Sequence, residues 1–222
     1  MNWLAYGAVF VAFLASHSIP LRPRVRQWMV GRMGRGGFAL GYSALSLVML
    51  ALLIRAAGLA PFVPLWPQEP WHRTAAQAGM AAVCAILAFG VARPNPFSFG
   101  GAGNERFDPA RPGLLRWTRH PVLAALALWA GVHLLANGAL AHVLLFAVLG
   151  VFALAGMPLV DRRKRREMGA ARWQDLRRAV AATPALPRPR PARGVLLRTG
   201  CALGLYATLV ALHPALIGVP AW

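Results

Sequence analysis

The chain has 222 residues, 58% of them hydrophobic and 14% charged, with a mean hydropathy of +0.51, which excludes an ordinary soluble domain. Its 24 Lys+Arg against 6 Asp+Glu give a formal charge of +18. The arginines fall between apolar runs, so membrane orientation and anionic headgroups account for them, and no nucleic-acid partner is needed.

The first predicted span, Asn2 to Ile19, begins almost at Met1 with no basic n-region and no small-residue cleavage motif, so it is expected to be retained rather than removed as a signal peptide. Trp3, Tyr6, Phe10, Phe13 and His17 recur along it at spacings of three and four and therefore share one face. Such a stripe could line a flat apolar cofactor or form a packing face that ends in a hydrogen-bonded histidine. A basic loop, His17 to Gly37, carries Arg22, Arg24, Arg26, Arg32 and Arg35 and leads to a second span at Phe38 to Gly58. His72, in the next connection, reads as a solvated loop residue ahead of the third span, Thr74 to Ala92.

The loop from Arg93 to Arg119 includes Asn95 to Gly103, whose glycines lack the Lys-Ser/Thr ending of a phosphate loop. Arg119-His120-Pro121 opens the fourth span, Pro121 to Asn137. Proline suits a first helical turn, and Arg119 with His120 could meet a headgroup phosphate or an anionic substrate group, or serve only orientation and capping. Inside that span Trp129, His133 and Asn137 share a face, where a neutral imidazole could ligate a metal or bond to a neighbouring helix. The hairpin Asn137-Gly138-Ala139-Leu140 follows, with His142 read as solvated beyond it, and then a fifth span, Ala141 to Val160.

Asp161 to Val180 is arginine-rich with Met168, Trp173, Leu176 and Val180 interspersed, which suits a helix lying on the membrane surface. Pro184 to Pro191 reads as an extended tether to the sixth span, Val195 to Gly218, where Thr199, Tyr206 and His213 share a face that lines a ligand or bonds between helices. Every Lys and Arg except Arg55 and Arg73 falls on one side of this layout, which predicts both termini on the non-cytoplasmic side. Trp3, Trp66, Trp71 and Trp222 would sit at the outer interface, and Trp28, Trp117 and Trp173 at the inner one.

Cys84 and Cys201 have no metal-ligand spacing, and acidic residues are nearly absent from the spans. That scarcity argues against a Ser-His-Asp nucleophile, a carboxylate di-metal site and a glycosidase pair. What remains for chemistry is imidazole in apolar surroundings, which suits haem better than hydrolytic zinc.

Several motifs, in order, resemble the bacterial NnrU family: Ser16-His17-Ser18 followed by arginines, Gly41-Tyr42-Ser43-Ala44-Leu45-Ser46, Thr118-Arg119-His120-Pro121 with Trp129, His133 and Leu134 to Gly138, and Asp161-Arg162-Arg163 ahead of Gly169. The same order is similar to that of the plant zeta-carotene isomerases. The resemblance covers most of the chain and implies an all-α, polytopic helix bundle of about six spans in a bacterial cytoplasmic (inner) membrane. For the isomerase branch it also implies haem b held by His17 and His133 and a hydrophobic small molecule as substrate, isomerised at a polyene double bond; Arg119, His120, Asn137 and His213 are candidate pocket residues by the positions described above. The family name associates the fold with denitrification. Two departures stand out: Gly36-Gly37 replaces a Gly-Glu pair, and no histidine lies near Ala155.

Depth raises a difficulty, because His133 lies about 20 Å into its helix at 1.5 Å per residue while His17 lies at the cytoplasmic edge. Simple depth pairs His133 with His213, or His17 with His120. Either the first helix runs past Pro20, or the fourth begins near Leu114, or the family's assignment of ligands does not hold in this chain.

Two other functions compete. Arg119-His120-Pro121, the Asn137-Gly138 hairpin and Asp161 to Trp173 resemble the isoprenylcysteine methyltransferase-like proteins, which implies an S-adenosylmethionine pocket, although Val160-Asp161, Trp173 and Leu176 replace that family's Glu pair and tyrosines. A non-enzymatic assembly factor for a respiratory complex would use the histidines only for packing. Membrane lipid is the one partner these features name, and they carry no oligomeric state.

Overall fold

In the computed structural model, which describes residues 1–185 and 192–221, the described chain is all α, with seven helices: α1 (Trp3–Ser18), α2 (Pro23–Leu59), α3 (Pro70–Gly90), α4 (Pro121–Ala136), α5 (Leu140–Met168), α6 (Ala170–Ala181) and α7 (Ala192–Ile217). Four of them, α2, α3, α5 and α7, are long and apolar enough to cross a membrane, while α1 and α4 are shorter apolar helices of 16 residues each. Outward leucines such as Leu4, 84% exposed, and Leu40, 74% exposed, make sense only against lipid. This is a membrane helix protein.

Local chemistry sets the helix starts. The Asn2 side chain accepts the Ala5 N–H at 2.8 Å, and Pro23, Pro70 and Pro121 open α2, α3 and α4, where a missing N–H costs nothing.

Two basic stretches are more helical than charge alone suggests. The expected loop from His17 to Gly37 contains a short turn and then helix from Pro23, because arginine, glutamine and methionine are good helix formers and nothing breaks the run before Gly34. Gly34, at φ 71° and ψ 170°, kinks α2 in a conformation other residues rarely adopt. Likewise Asp161 to Met168 continues α5 instead of starting a surface helix, and Glu167 ties that last stretch to Arg163 at 2.7 Å and Lys164 at 2.9 Å. The break comes at Gly169, at φ 88°, and the separate amphipathic helix is α6. Of the expected tether, residues 186–191 lie outside the described residues, as does Trp222.

The chain divides into two compact units. In the first, Met1–Pro67 with Gly138–Leu145, α1 packs on α2. The aromatic face of α1 is continuous there: Tyr6 meets Phe10 edge-on at 5.0 Å, Phe13 meets His17 at 4.1 Å, and buried Tyr6 donates to the Ala141 carbonyl at 2.6 Å. The 60–67 loop clips the hairpin through Leu65 N–H to Gly138 O at 2.7 Å and Leu140 N–H to Val63 O at 2.8 Å.

In the second unit, Gln68–Asn137 with Phe146 onward, α3 packs against both α4 and α7. Gly79 and Gly90, eleven residues apart on one face of α3, let α4 approach so closely that a Cβ at either would collide with Val132 or Pro121. Arg198 on α7 donates to the carbonyls of Ala88 and Val91, and Gln77 on α3 donates to the Ala221 carbonyl at 2.9 Å. A smaller core of Phe97, Leu115, Trp173 and Val180 joins α6 to the loop ahead of α4.

Candidate functional site

The most developed polar site lies in the second unit, at the start of α4. His120 caps that helix and is 3% exposed. Its Nε2 lies 3.1 Å from Asp161 Oδ1, and its Nδ1 lies 3.0 Å from Ser98 Oγ. A carboxylate only accepts, so Nε2 carries the proton and Nδ1 accepts from the Ser98 hydroxyl. Both ring nitrogens are thereby satisfied in the neutral form. Burial pushes the His120 pKa down, and the adjacent Arg119 adds to this; together they outweigh the Asp161 carboxylate, which favours the cation.

Arg119 grips the same carboxylate with a fork, Nη2 to Oδ2 at 2.7 Å and Nε to Oδ1 at 3.3 Å. Asn95, 1% exposed, ties the loop to this point by donating to the Arg119 carbonyl at 3.0 Å and accepting the Phe97 N–H at 3.0 Å. Ser98, His120 and Asp161 thus stand in the order of a proton relay. Ser98 is only 3% exposed and Asp161 is shared with a guanidinium, so the row works as a buried latch between loop, α4 and α5 rather than as a nucleophile. Against it stands Trp173, its ring 5.9 Å from the Arg119 guanidinium and 5.2 Å from that of Arg177. Trp173 is buried in its core, not spread at an interface as its position among arginines suggests, and its indole N–H has no partner among the described residues.

The apolar-face histidines repeat one local pattern. His133 Nδ1 lies 2.9 Å from the Trp129 carbonyl, and His17 Nδ1 lies 2.9 Å from the Phe13 carbonyl, each one helical turn back. A carbonyl can only accept, so in the neutral ring the proton is on Nδ1 and the lone pair on Nε2, the tautomer a metal-bound imidazole needs. His133 stacks among Trp129 at 5.3 Å and Phe146 at 5.1 Å. Asn137 donates to the His133 carbonyl at 2.7 Å and ends α4, so the predicted Trp129, His133, Asn137 face is a chain of bonds each reaching one turn back. His213 Nδ1 pairs with the Val219 carbonyl at 2.6 Å.

Helix ends bear on the depth problem. α1 stops at Ser18 and α4 begins at Pro121, with a separate 3-10 turn at Gly113–Arg116, so neither helix extension that would level His17 with His133 is present. His17 belongs to the first unit and His133 to the second.

The family model described as NnrU protein matches residues 6–221. The chain belongs to the NnrU family. No curated protein and no solved structure matches it.

For this NnrU chain, sequence reasoning found Arg119 and His120 but missed their partners. Asp161 is more than forty residues away, and Ser98 and Asn95 sat in a stretch read as plain loop. His72 corrects another expectation. It is 6% exposed and forms a capping box, accepting the Glu69 N–H at 3.1 Å on its Nδ1 while the Glu69 side chain accepts from the His72 backbone. A Glu three residues ahead of a His, with Pro between, was the available signal. His142 is half-buried in the first turn of α5 rather than solvated.

Proposed function

We propose that this NnrU-family protein crosses a bacterial cytoplasmic membrane six times with both ends outside, holds haem b on the Nε2 atom of His133 with either His17, the ligand that the family resemblance implies, or His213, the one that depth favours, and acts on an apolar small molecule such as a polyene or a diatomic nitrogen oxide. The orientation rests on the arginines, all but Arg55 and Arg73 of which fall in alternate connections. The observation that carries the haem assignment is the shared one-turn-back bond from Nδ1, which sets ring orientation and tautomer in both histidines. When bound, haem b supplies a redox-active iron in an apolar setting. The chain contributes the rest: Trp129 and Phe146 hold the His133 ring and exclude water, and Asn137 ends the helix just beyond it.

Purification in detergent after expression with ample haem tests this directly. The expected result is a low-spin, bis-histidine spectrum that is lost in His133→Ala and in one of His17→Ala and His213→Ala and kept in His142→Ala. A colourless wild-type protein overturns the assignment of haem. A spectrum kept in both His17→Ala and His213→Ala overturns both pairings.

A further inference from the structure

The start of α2 and α6 each place a tryptophan among arginines on a helix, but the two tryptophans differ in what covers them. In α6, Trp173 is buried with Val180 against Phe97 and Leu115. Along residues 23–33, ahead of the Gly34 kink in α2, Trp28 is 61% exposed. We infer that residues 23–33 form an interfacial helix whose Arg24, Trp28 and Arg32 face binds the headgroups of anionic phospholipids in the adjoining leaflet, the ring meeting the glycerol level and the guanidinium groups meeting phosphate.

Geometry is the first argument. Residues 35–59 alone rise about 37 Å, more than the roughly 30 Å of a hydrocarbon core, so the part of α2 before Gly34 is not needed to cross the membrane. Gly34, at φ 71°, turns that part aside. Arg26 holds the turn: its guanidinium lies 5.7 Å from the centre of the Phe38 ring, whereas a straight helix would set the two residues about 18 Å apart along its axis. Val25, Met29 and Val30 are half-buried, while Arg24, Trp28 and Arg32, four residues apart, share an exposed face. The Arg32 guanidinium lies 5.1 Å from the Trp28 ring, so cation and indole are presented together.

Charge is the second argument. The first unit contains no acidic residue, yet it carries Arg22, Arg24, Arg26, Arg32 and Arg35. All six acidic residues of the chain belong to the second unit, where each has a partner, from Glu69 in its capping box to Asp175 beside Arg178. The counter-charge for residues 23–33 therefore comes from outside the chain.

Attachment selects lipid over a soluble acidic protein. The segment runs directly into a span, which keeps it at headgroup level, where tryptophan and arginine are both favoured and where an anionic leaflet attracts each cation.

Hydrogen exchange of the whole chain in lipid nanodiscs tests this, with discs of phosphatidylcholine alone compared with discs of equimolar phosphatidylcholine and phosphatidylglycerol. Wild type is expected to exchange the amides of residues 23–33 more slowly in the anionic discs, by roughly tenfold or more, the order expected of two arginines near such a surface. Residues 170–181 of α6, fastened by their buried face, should change little. In Arg24→Gln/Arg32→Gln the difference between the discs should disappear from residues 23–33, and Trp28→Ala should exchange faster in both. Equal exchange of the wild type in the two discs overturns the lipid assignment, and protection that appears only when native membrane proteins are present hands the face to an acidic protein instead. An anionic effect that survives in the double arginine variant, or that is equally large in α6, overturns the face. None of these readouts involves haem, so this result and the haem spectrum can fail separately.

Discussion

At the scale of the residue, His120 has the most consequential setting in the second unit. It is buried and neutral, and its two hydrogen bonds fit only one tautomer. Its pKa in the folded protein is below the unfolded value of about 6.5. The folded state therefore holds fewer protons at this site than the unfolded chain once the pH falls under that value. Stability contributed by His120 is complete above about pH 6.5 and is lost as the pH drops through the folded pKa. Thermal unfolding in detergent should show a midpoint that declines from pH 7.5 to pH 5, and His120→Gln, which can still donate to Asp161 and accept from Ser98, should flatten that decline. An equally steep decline in the variant would place the acid sensitivity elsewhere. Of this cluster, Arg119, His120 and Pro121 were legible because they are adjacent. Their carboxylate partner was not, because a bond across more than forty residues is set by how α4 and α5 pack, and no local pattern encodes it.

At the scale of the element, the apolar runs declared the helices and the prolines declared where α2, α3 and α4 begin. What composition concealed is that charged residues extend helices as readily as apolar ones. The arginines after Pro23 marked a loop by charge while their propensity favoured helix, and those after Asp161 marked a separate surface helix where α5 runs on to Met168. Packing between elements was hidden as well, since Gly79 and Gly90 gave no sign of the close α3 to α4 approach they permit. Gly90→Ala would drive a methyl group into Pro121, the residue after His120. It should destabilise the protein by about 1–3 kcal/mol, the usual cost of overpacking, read as a lower unfolding midpoint in detergent. Gly200→Ala in α7, where nothing lies within 4 Å, is the matched control and should be neutral to stabilising, by up to about 1 kcal/mol.

At the scale of the whole molecule, hydropathy and the asymmetry of arginines carried the membrane class, and the ordered motifs carried the family, because both are properties of the chain as a string. The second unit also has a feature that says something about its assembly. α7 is fastened to α3 near its start, by Arg198 to the Ala88 and Val91 carbonyls, and just beyond its end, by Gln77 to the Ala221 carbonyl, with helix packing between. Its place is thus specified by recognition between helices as well as by the covalent connection. Residues 1–185 and 192–222, expressed together as two separate polypeptides, should find one another in the membrane, and an affinity tag on the shorter piece should bring the longer one down. Loss of that pairing in Gln77→Ala/Arg198→Ala, with both pieces still inserted, is the companion result; failure of the unmodified pieces to associate would mean that the peptide link itself holds α7 in place.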